Sequence, residues 1–339
     1  MTGPPQLQAK RRGDAAALRL GSGQARRRGD GSAIRFPGAK PFDVVGFGFN
    51  TSDHLCVVAR PPGFDSKQRL SAYTQQPGGQ VPTALVALQR WGLRTAYVGP
   101  FGDDDGGRAQ RASLAAEGID LRGTRVRAGI GSHTSIILVD AVSGERTVLW
   151  QRPDGLGLQA DELDRKQLTA GRVLLMDADD EETALQAAAW AKAEDVVVVL
   201  DVDRPGPRIR ELLALTDVLV AAWEFAARLT GATEVRPALQ QMLRLGPTLA
   251  AVTLGRGGAL AAERGQLHYV PAFAVPVADT TSAGDLFHAG CIYGLLQGWS
   301  VPHAFRFAAA AAALECTRLG GRAAIPSLEQ VRSLVARRS

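Results

Sequence analysis

Val173-Leu174-Leu175-Met176, followed by Glu181–Ala193 and then Val196-Val197-Val198-Val199-Leu200, decides how this chain folds. Each short apolar run is continuous rather than alternating, the pattern of a strand covered on both faces, and the stretch between them is rich in helix formers. The alternation continues through Ile209–Leu215, Val218–Ala221, Trp223–Leu229, Pro237–Leu245 and Leu249–Leu254. Strands separated by helices cross over and run parallel, so the expected fold is α/β, a doubly wound, mostly parallel sheet flanked by helices. Phe42–Asn50, apolar and glycine-rich at its end, is the first strand; Thr95–Val98 is another, set between helices at Ala84–Trp91 and from the aspartates at 103–105 to about Glu117.

Two stretches stand outside this series. Residues 55–76 alternate weakly around Pro61-Pro62-Gly63, and Thr134–Asp140 with Arg146–Trp150 alternate around Val142-Ser143-Gly144. Both read as hairpins. Packed together they make a small β lid, from about 53–76 and 130–150, placed to exclude water from a site beneath.

The 339 residues are 45% apolar, enough for one large domain. The net charge of +5 is local: residues 1–40 hold nine Lys/Arg against two Asp, a charge of +7, which leaves −2 for the other 299. The body is therefore not a nucleic-acid surface. Residues 1–40 are expected to form a disordered basic tail, with the folded domain at 41–339. A solvated tail, an over-called start codon and an Arg-rich arm or transit-like segment are alternative readings of it. No run is long enough to span a membrane and no signal peptide is evident, which points to the cytoplasm. Cys56, Cys291 and Cys316 are too scattered for a disulfide framework or metal cluster and are expected to be reduced packing residues.

Chemistry collects at predicted strand ends, where parallel sheets bind ligands. Asp279-Thr280-Thr281-Ser282-Ala283-Gly284-Asp285 lies between the apolar run Phe273–Val277 and an apolar helix at Leu286–Leu296. Small residues there let consecutive N–H groups converge on an anion at a helix N-terminus. Asp285 is either a favourable first-turn charge or a general base beside those amides. Asn50 and Asp53 follow the first strand and fit either an Asx turn or hydroxyl binding. Pro77-Gly78-Gly79-Gln80-Val81-Pro82-Thr83 precedes a helix, and Thr253-Leu254-Gly255-Arg256-Gly257-Gly258 ends a strand in a turn that suits a phosphate-bearing ligand or a hairpin. No Gly-x-Gly-x-x-Gly or Gly-x-x-x-x-Gly-Lys-Ser/Thr motif is present. Asp103-Asp104-Asp105 reads as a helix cap or a cation site. His54 has no nameable partner to orient it.

Asn50 and Asp53 after the first strand, the Gly78-Gly79 pair, the Thr253–Gly258 turn and the Asp279–Asp285 loop, in that chain order, resemble the ribokinase-like (PfkB) carbohydrate kinases from about residue 42 onward. The segment from Ala313 to Pro326 is most similar to the sulfofructose kinase branch. The resemblance implies transfer of the γ-phosphoryl group of ATP to a sugar hydroxyl, with Asp285 as base and the amides of Ser282, Ala283 and Gly284 as anion hole. It further implies sugar binding by Asn50, Asp53, Gly78, Gly79, Gln80 and Thr83, with Asp179 added, and a nucleotide site lined by Thr253, Gly255 and Gly258. Asp279 and Thr281 look like ligands of a monovalent cation such as K⁺, and Mg²⁺ would accompany ATP. The lid's uncovered strand edges suggest a homodimer.

The chain departs from the family pattern at several positions. Ala222-Trp223-Glu224-Phe225 stands where Asn-x-x-Glu is usual, so that only Glu224, one position off, can serve in magnesium and phosphate handling. Ala309 and Thr83 replace asparagines, and Ser282 replaces a glycine. Nucleoside kinase activity, against which the few aromatic residues expected in the lid argue, and a weakened sugar- or nucleotide-binding protein are the alternatives. Arg127 and Arg152, near the lid, are candidates to meet an anionic substituent on the sugar.

Overall fold

The computed structural model describes residues 33–337. In chain order the elements begin β1 (Phe42–Phe47), β2 (Thr51–Val58), β3 (Ala72–Gly78), α1 (Gln80–Arg90), β4 (Thr95–Gly102), α2 (Asp105–Ala116), β5 (Asp120–Arg127), β6 (Thr134–Asp140) and β7 (Arg146–Gln151). The middle follows as α3 (Arg165–Leu168), β8 (Gly171–Met176), α4 (Glu181–Ala193), β9 (Val197–Asp201), α5 (Ile209–Ala214), β10 (Val218–Ala222), α6 (Trp223–Thr230), α7 (Val235–Arg244) and β11 (Leu249–Thr253). The chain closes with β12 (Ala259–Glu263), β13 (Gln266–Val270), α8 (Ala283–Leu296), α9 (Val301–Glu315), α10 (Gly321–Ala324) and α11 (Leu328–Ala336).

Nine strands form one sheet in the order β13-β12-β11-β10-β9-β8-β1-β4-β5. Pairing is parallel from β11 to β5 and antiparallel where β12 joins β11 and β13 joins β12. The apolar runs are continuous because both faces are covered. On β9, Val197 and Val199 face one core, with α1, α8 and α9, while Val198 and Leu200 face the other, with α4 to α7. The two hairpins form a separate four-stranded sheet, order β3-β2-β6-β7, with β2 and β6 parallel at its centre. Its small apolar cluster of Leu55, Ile137 and Val139 is distinct from the two main cores.

Two strands carried no clear signal in the sequence. β5 reads Asp-Leu-Arg-Gly-Thr-Arg-Val-Arg and pairs only with β4, so an edge position lets it be polar. β13, also at an edge, is held by β12. The folded domain also begins earlier than residue 41. Ala33 N donates to Glu263 Oε2 at 2.8 Å, Ile34 and Phe36 pack on the core, and Lys40 Nζ reaches Thr169 O at 2.9 Å. The remainder of the expected disordered tail, residues 1–32, lies outside the described residues. All three cysteines are free, but Cys316 is only half-buried. Among the described residues no helix is long and apolar enough to cross a membrane.

The Ala-rich α9 packs on α8, and small residues set the distance between them. A Cβ on Gly290 would stand 2.5 Å from Ala308 Cα, and one on Gly294 would stand 2.6 Å from Ala304 Cβ. α8 carries the candidate base in its first turn, so this crossing fixes the depth of the site. Gly290→Val is expected to cost about 1–3 kcal/mol through overpacking, measured as a lowered Tm in thermal melts; an unchanged melt would show that the crossing is not close-packed.

Candidate active site

The carboxyl ends of β1, β8, β9, β10 and β11 share one edge of the main sheet, and the lid sheet rises from it through the short link Gly48–Asn50. Between lid and edge lies a cleft of about 370 Å³, walled by Ser135, Val148 and Trp150 on one side and by Asp177, Asp179, Asp201 and Arg204 on the other. Side chains from both sides join lid and body at this cleft. Arg204 lies 5.2 Å over the Trp150 ring, and Arg146 Nη1 donates to Thr280 O at 2.7 Å.

Thr280 begins the loop that leads into α8. Ser282, its N-cap, has φ 62 and ψ 5, the left-handed region that glycine occupies at no steric cost. That backbone turns the start of α8 toward the cleft. The amides of Ser282, Gly284 and Asp285 make no hydrogen bond among the described residues, whereas Ala283 N donates back to Thr280 O at 3.3 Å. Of the three amides expected to face an anion, those of Ser282 and Gly284 are open and that of Ala283 is spent closing the turn, while the Asp285 amide is open as well. Burial pushes the Asp285 carboxyl up to about 6, while the Ser282 side chain, Arg146 and His288 act against that rise.

Asp53 stands at the base of the lid. Thr51 Oγ1 donates to its Oδ1 at 2.9 Å, and burial lifts it to about 6, opposed by Thr51 and by the charge of Arg322. Asn50 is buried with its amide already spent, donating to Tyr97 Oη at 2.8 Å and Pro100 O at 2.5 Å, so only its carbonyl oxygen remains for a ligand. Gly79 caps α1 with φ 95 and its carbonyl accepts from Thr83 N. Thr83 is fully buried with Oγ1 unpartnered. Gln80 lines the cleft and its side chain bonds to Asp201.

Asp179 lines the cleft but is ion-paired to Arg152 at 3.3 Å. That pairing also corrects the expectation for the two lid-side arginines. Arg152 is held by Asp179 and, at 2.5 Å, by Asp180, and Arg127 by Glu162 at 2.5 Å, which leaves neither cation for an anionic substituent. The physical reason is burial: each is about 15% exposed and has recruited a carboxylate. His54 does have a partner, Tyr73 Oη at 2.8 Å, on the far side of the lid strand pair.

At the carboxyl end of β11, Thr253 closes the strand, Gly255 opens a single 3₁₀ turn, and Gly258 (φ 83) packs its backbone against Val270 O as the chain returns into β12. The hairpin reading of this turn holds, since β11 and β12 pair antiparallel across it. Glu224, in the first turn of α6, is exposed and makes no ion pair or hydrogen bond among the described residues. Asp279 is 1% exposed: its Oδ1 accepts from Thr281 N at 2.8 Å and Thr281 Oγ1 at 2.7 Å, and its Oδ2 from Gly320 N at 2.9 Å.

Several functional residues were not evident from the sequence. Asp201 ends β9, and burial together with the charges of Asp285 and Asp203 raises its carboxyl far above the usual range. His288, one turn beyond Gly284, has oxygens at both ring nitrogens: Gly284 O at 2.9 Å and Asp201 Oδ2 at 3.2 Å from Nδ1, and Val220 O at 3.0 Å from Nε2. The rule that parallel strands bind ligands at their carboxyl ends would have found Asp201 and Asp203; His288 and Arg322 carried no such signal. The cleft also has more aromatic surface than expected, as Phe49 stacks on His133 at 4.9 Å and Trp150 tilts against the same ring at 5.6 Å.

Comparison with known proteins accounts for this arrangement. The profile described as "pfkB family carbohydrate kinase" matches residues 49–328. A fructokinase from Klebsiella pneumoniae is 32% identical over 241 residues, which cover 65% of this chain and 77% of the fructokinase. Among solved structures, a candidate ribokinase from Agrobacterium tumefaciens superposes with TM-score 0.81 at 28% identity, over 88% of this chain and 98% of that one. Arabidopsis thaliana ribokinase, complexed with ribose and ATP, shares the fold with TM-score 0.74 at 24% identity, over 87% and 98% of the two chains. With the family profile matched from the end of β1 to the start of α11, this chain belongs to the pfkB family of carbohydrate kinases, phosphotransferases that act on sugar hydroxyls.

Proposed function

We propose that Asp285 takes the proton of a sugar hydroxyl while that oxygen attacks the γ-phosphorus of ATP; the bond from phosphorus to the β,γ-bridging oxygen breaks and ADP leaves. The observation that carries this reading is a buried carboxyl in the first turn of α8, beside unpaired amides and next to a lidded cleft. The Ser282, Gly284 and Asp285 amides suit the charge developing on the transferring group, and the helix N-terminus adds to it. Asp53, Thr83, Gln80, the Asn50 carbonyl oxygen and the backbone at Gly78 and Gly79 orient the sugar, with Asp179 at the cleft wall. Thr253, Gly255 and Gly258 carry the nucleotide. The enzyme works in the cytoplasm, where ATP is held.

Mg²⁺ would neutralise the triphosphate. Glu224 and Asp203, both exposed at this edge without hydrogen-bond partners among the described residues, fit its preference for carboxylate and water. A monovalent cation such as K⁺ fits beside Asp279 and Thr281. There a buried carboxylate keeps unused acceptor capacity, and Glu315 nearby is fully buried with both oxygens orphaned and its carboxyl pushed up to about 10. Such a cation would steady the loop that presents the anion-hole amides.

Nucleoside phosphorylation is a second reading, supported by the Phe49, His133 and Trp150 rings along the cleft. A panel of D-fructose, D-ribose, sulfofructose and adenosine, assayed for ADP release with ATP and Mg²⁺, distinguishes the two. ADP release with adenosine alone would move the assignment to nucleosides, and thermal stabilisation without ADP release to a binding protein.

Asp285→Asn is expected to lower kcat by at least about 10²-fold with sugar and ATP binding retained; wild-type turnover in this variant removes the base assignment. A base must be unprotonated to act, so kcat/KM should climb as pH rises through about 6 and level off above it. A rate flat from acid to neutral pH contradicts that role.

The lid offers an interface between two copies. β7 is an edge strand exposed along its length, and Val148, Leu149 and Trp150 are 43%, 53% and 50% exposed. Light scattering is expected to give a dimer mass that Leu149→Glu reduces to monomer; monomer mass for the wild type excludes this.

A further inference from the structure

We propose that Arg322 is a positioning residue for sugar recognition: from behind Gly78 it keeps Asp53 in its carboxylate form and fixes the strand end that presents it. The inference rests on Asp53 binding the sugar. Arg322 is 5% exposed, and among the described residues it has no carboxylate within ion-pair distance. Its Nη2 donates to Gly78 O at 2.7 Å, its Nη1 to Ser113 Oγ of α2 at 3.2 Å, and its Nε has no partner. A buried guanidinium usually recruits a carboxylate, as Arg127 and Arg152 have done, because nothing else offsets its lost hydration.

The carboxylate placed to do this is Asp53, on the other side of Gly78. A Cβ on Gly78 would lie 1.8 Å from Asp53 Oδ2, so the two charges are separated by one bare peptide. Around Asp53 stand Thr51 on its own strand, Gln76 on β3, Ser135 on β6, Arg146 on β7 and Arg322 on α10, while His54 turns away to Tyr73. Burial pushes Asp53 toward the neutral acid, and of the two cations facing it Arg322 acts more strongly. Charge state matters because a carboxylate accepts from two sugar hydroxyls at once, whereas the acid gives up acceptor capacity to its own proton. Arg322 is itself held in place: Arg90 Nη1 donates to its carbonyl at 3.1 Å, and the preceding Gly320 is bonded to Asp279.

Aspartate-carboxyl ¹³C NMR, with Asp53→Asn used to identify the resonance, tests this in the ligand-free protein. The wild-type Asp53 midpoint is expected near or below about 6. Arg322→Gln should raise it by about one pH unit or more, and Arg322→Lys, which keeps the charge, should restore it. A folded Arg322→Gln protein titrating as wild type does overturns the proposal. Should that variant not fold, a wild-type midpoint above about 8 overturns it equally, because Asp53 would then be neutral at working pH. In kinetics with D-fructose or D-ribose, a one-unit rise means that Arg322→Gln should raise the sugar KM about twofold near pH 7, toward tenfold below about pH 6, and lose that defect at alkaline pH, with the ATP KM unchanged; a defect that is the same at every pH marks Arg322 as structural only. Failure of the sugar reading has its own signature, an Asp53→Asn variant with wild-type sugar KM, and leaves the NMR outcome standing.

Discussion

Asp279 is the joint on which the site hangs. Its buried carboxylate gathers two donors from Thr281 and one from Gly320, and so fastens the loop entering α8 to the loop leaving α9. Those loops are far apart in sequence and neither has regular structure to hold it. A carboxylate that loses its water on burial must find such donors, and here satisfying it fixes two backbones at once. Cys316 O completes the joint by accepting from the amides of Ala278 and Asp279. Ser282, Gly321 and Arg322 are thereby placed within reach of one another, and a Cβ on Gly321 would lie 2.4 Å from Ser282 Oγ.

Above this joint the electrostatics divide into the two candidate carboxylates and a set of balancing groups. Asp285 and Asp53 are each lifted by burial to about 6, within reach of loss of charge but still ionised at neutral pH. Arg146 contributes to both and also ties the lid to Thr280, so that lid position and charge balance are linked. Asp201, its carboxyl raised by burial, lies 3.2 Å from His288 Nδ1, one turn along α8 from Asp285.

The departures from the family pattern have different structural weights. Ser282 holds a left-handed backbone at a cost of roughly 1–2 kcal/mol relative to glycine, and its side chain bonds Asp285 in return. Thr83 leaves a buried hydroxyl unpartnered in the first turn of α1. Ala309 merely packs in the core. Glu224 is the departure whose position is least constrained, being exposed at the edge where an Asn-x-x-Glu motif would otherwise act.

Much of this protein could be read from its residues alone. Continuous Val-rich runs separated by helix formers required a parallel sheet covered on both faces, and hairpin turns at Gly63 and Gly144 required a second sheet. The Asp279–Asp285 loop, the Gly78-Gly79 pair and the Gly255–Gly258 turn were legible because tight backbone geometry restricts which residues fit. Only the tertiary structure decided which charges pair. It alone showed that Arg127 and Arg152 are consumed by carboxylates, that the Ala283 amide is spent on its own turn, and that His288 and Arg322 stand close to the two candidate aspartates. Periodicity and turn chemistry are local properties written in neighbouring residues. A buried charge is instead compensated by whatever the fold brings within a few ångströms, often from more than 200 positions away, as Gly78 and Arg322 show.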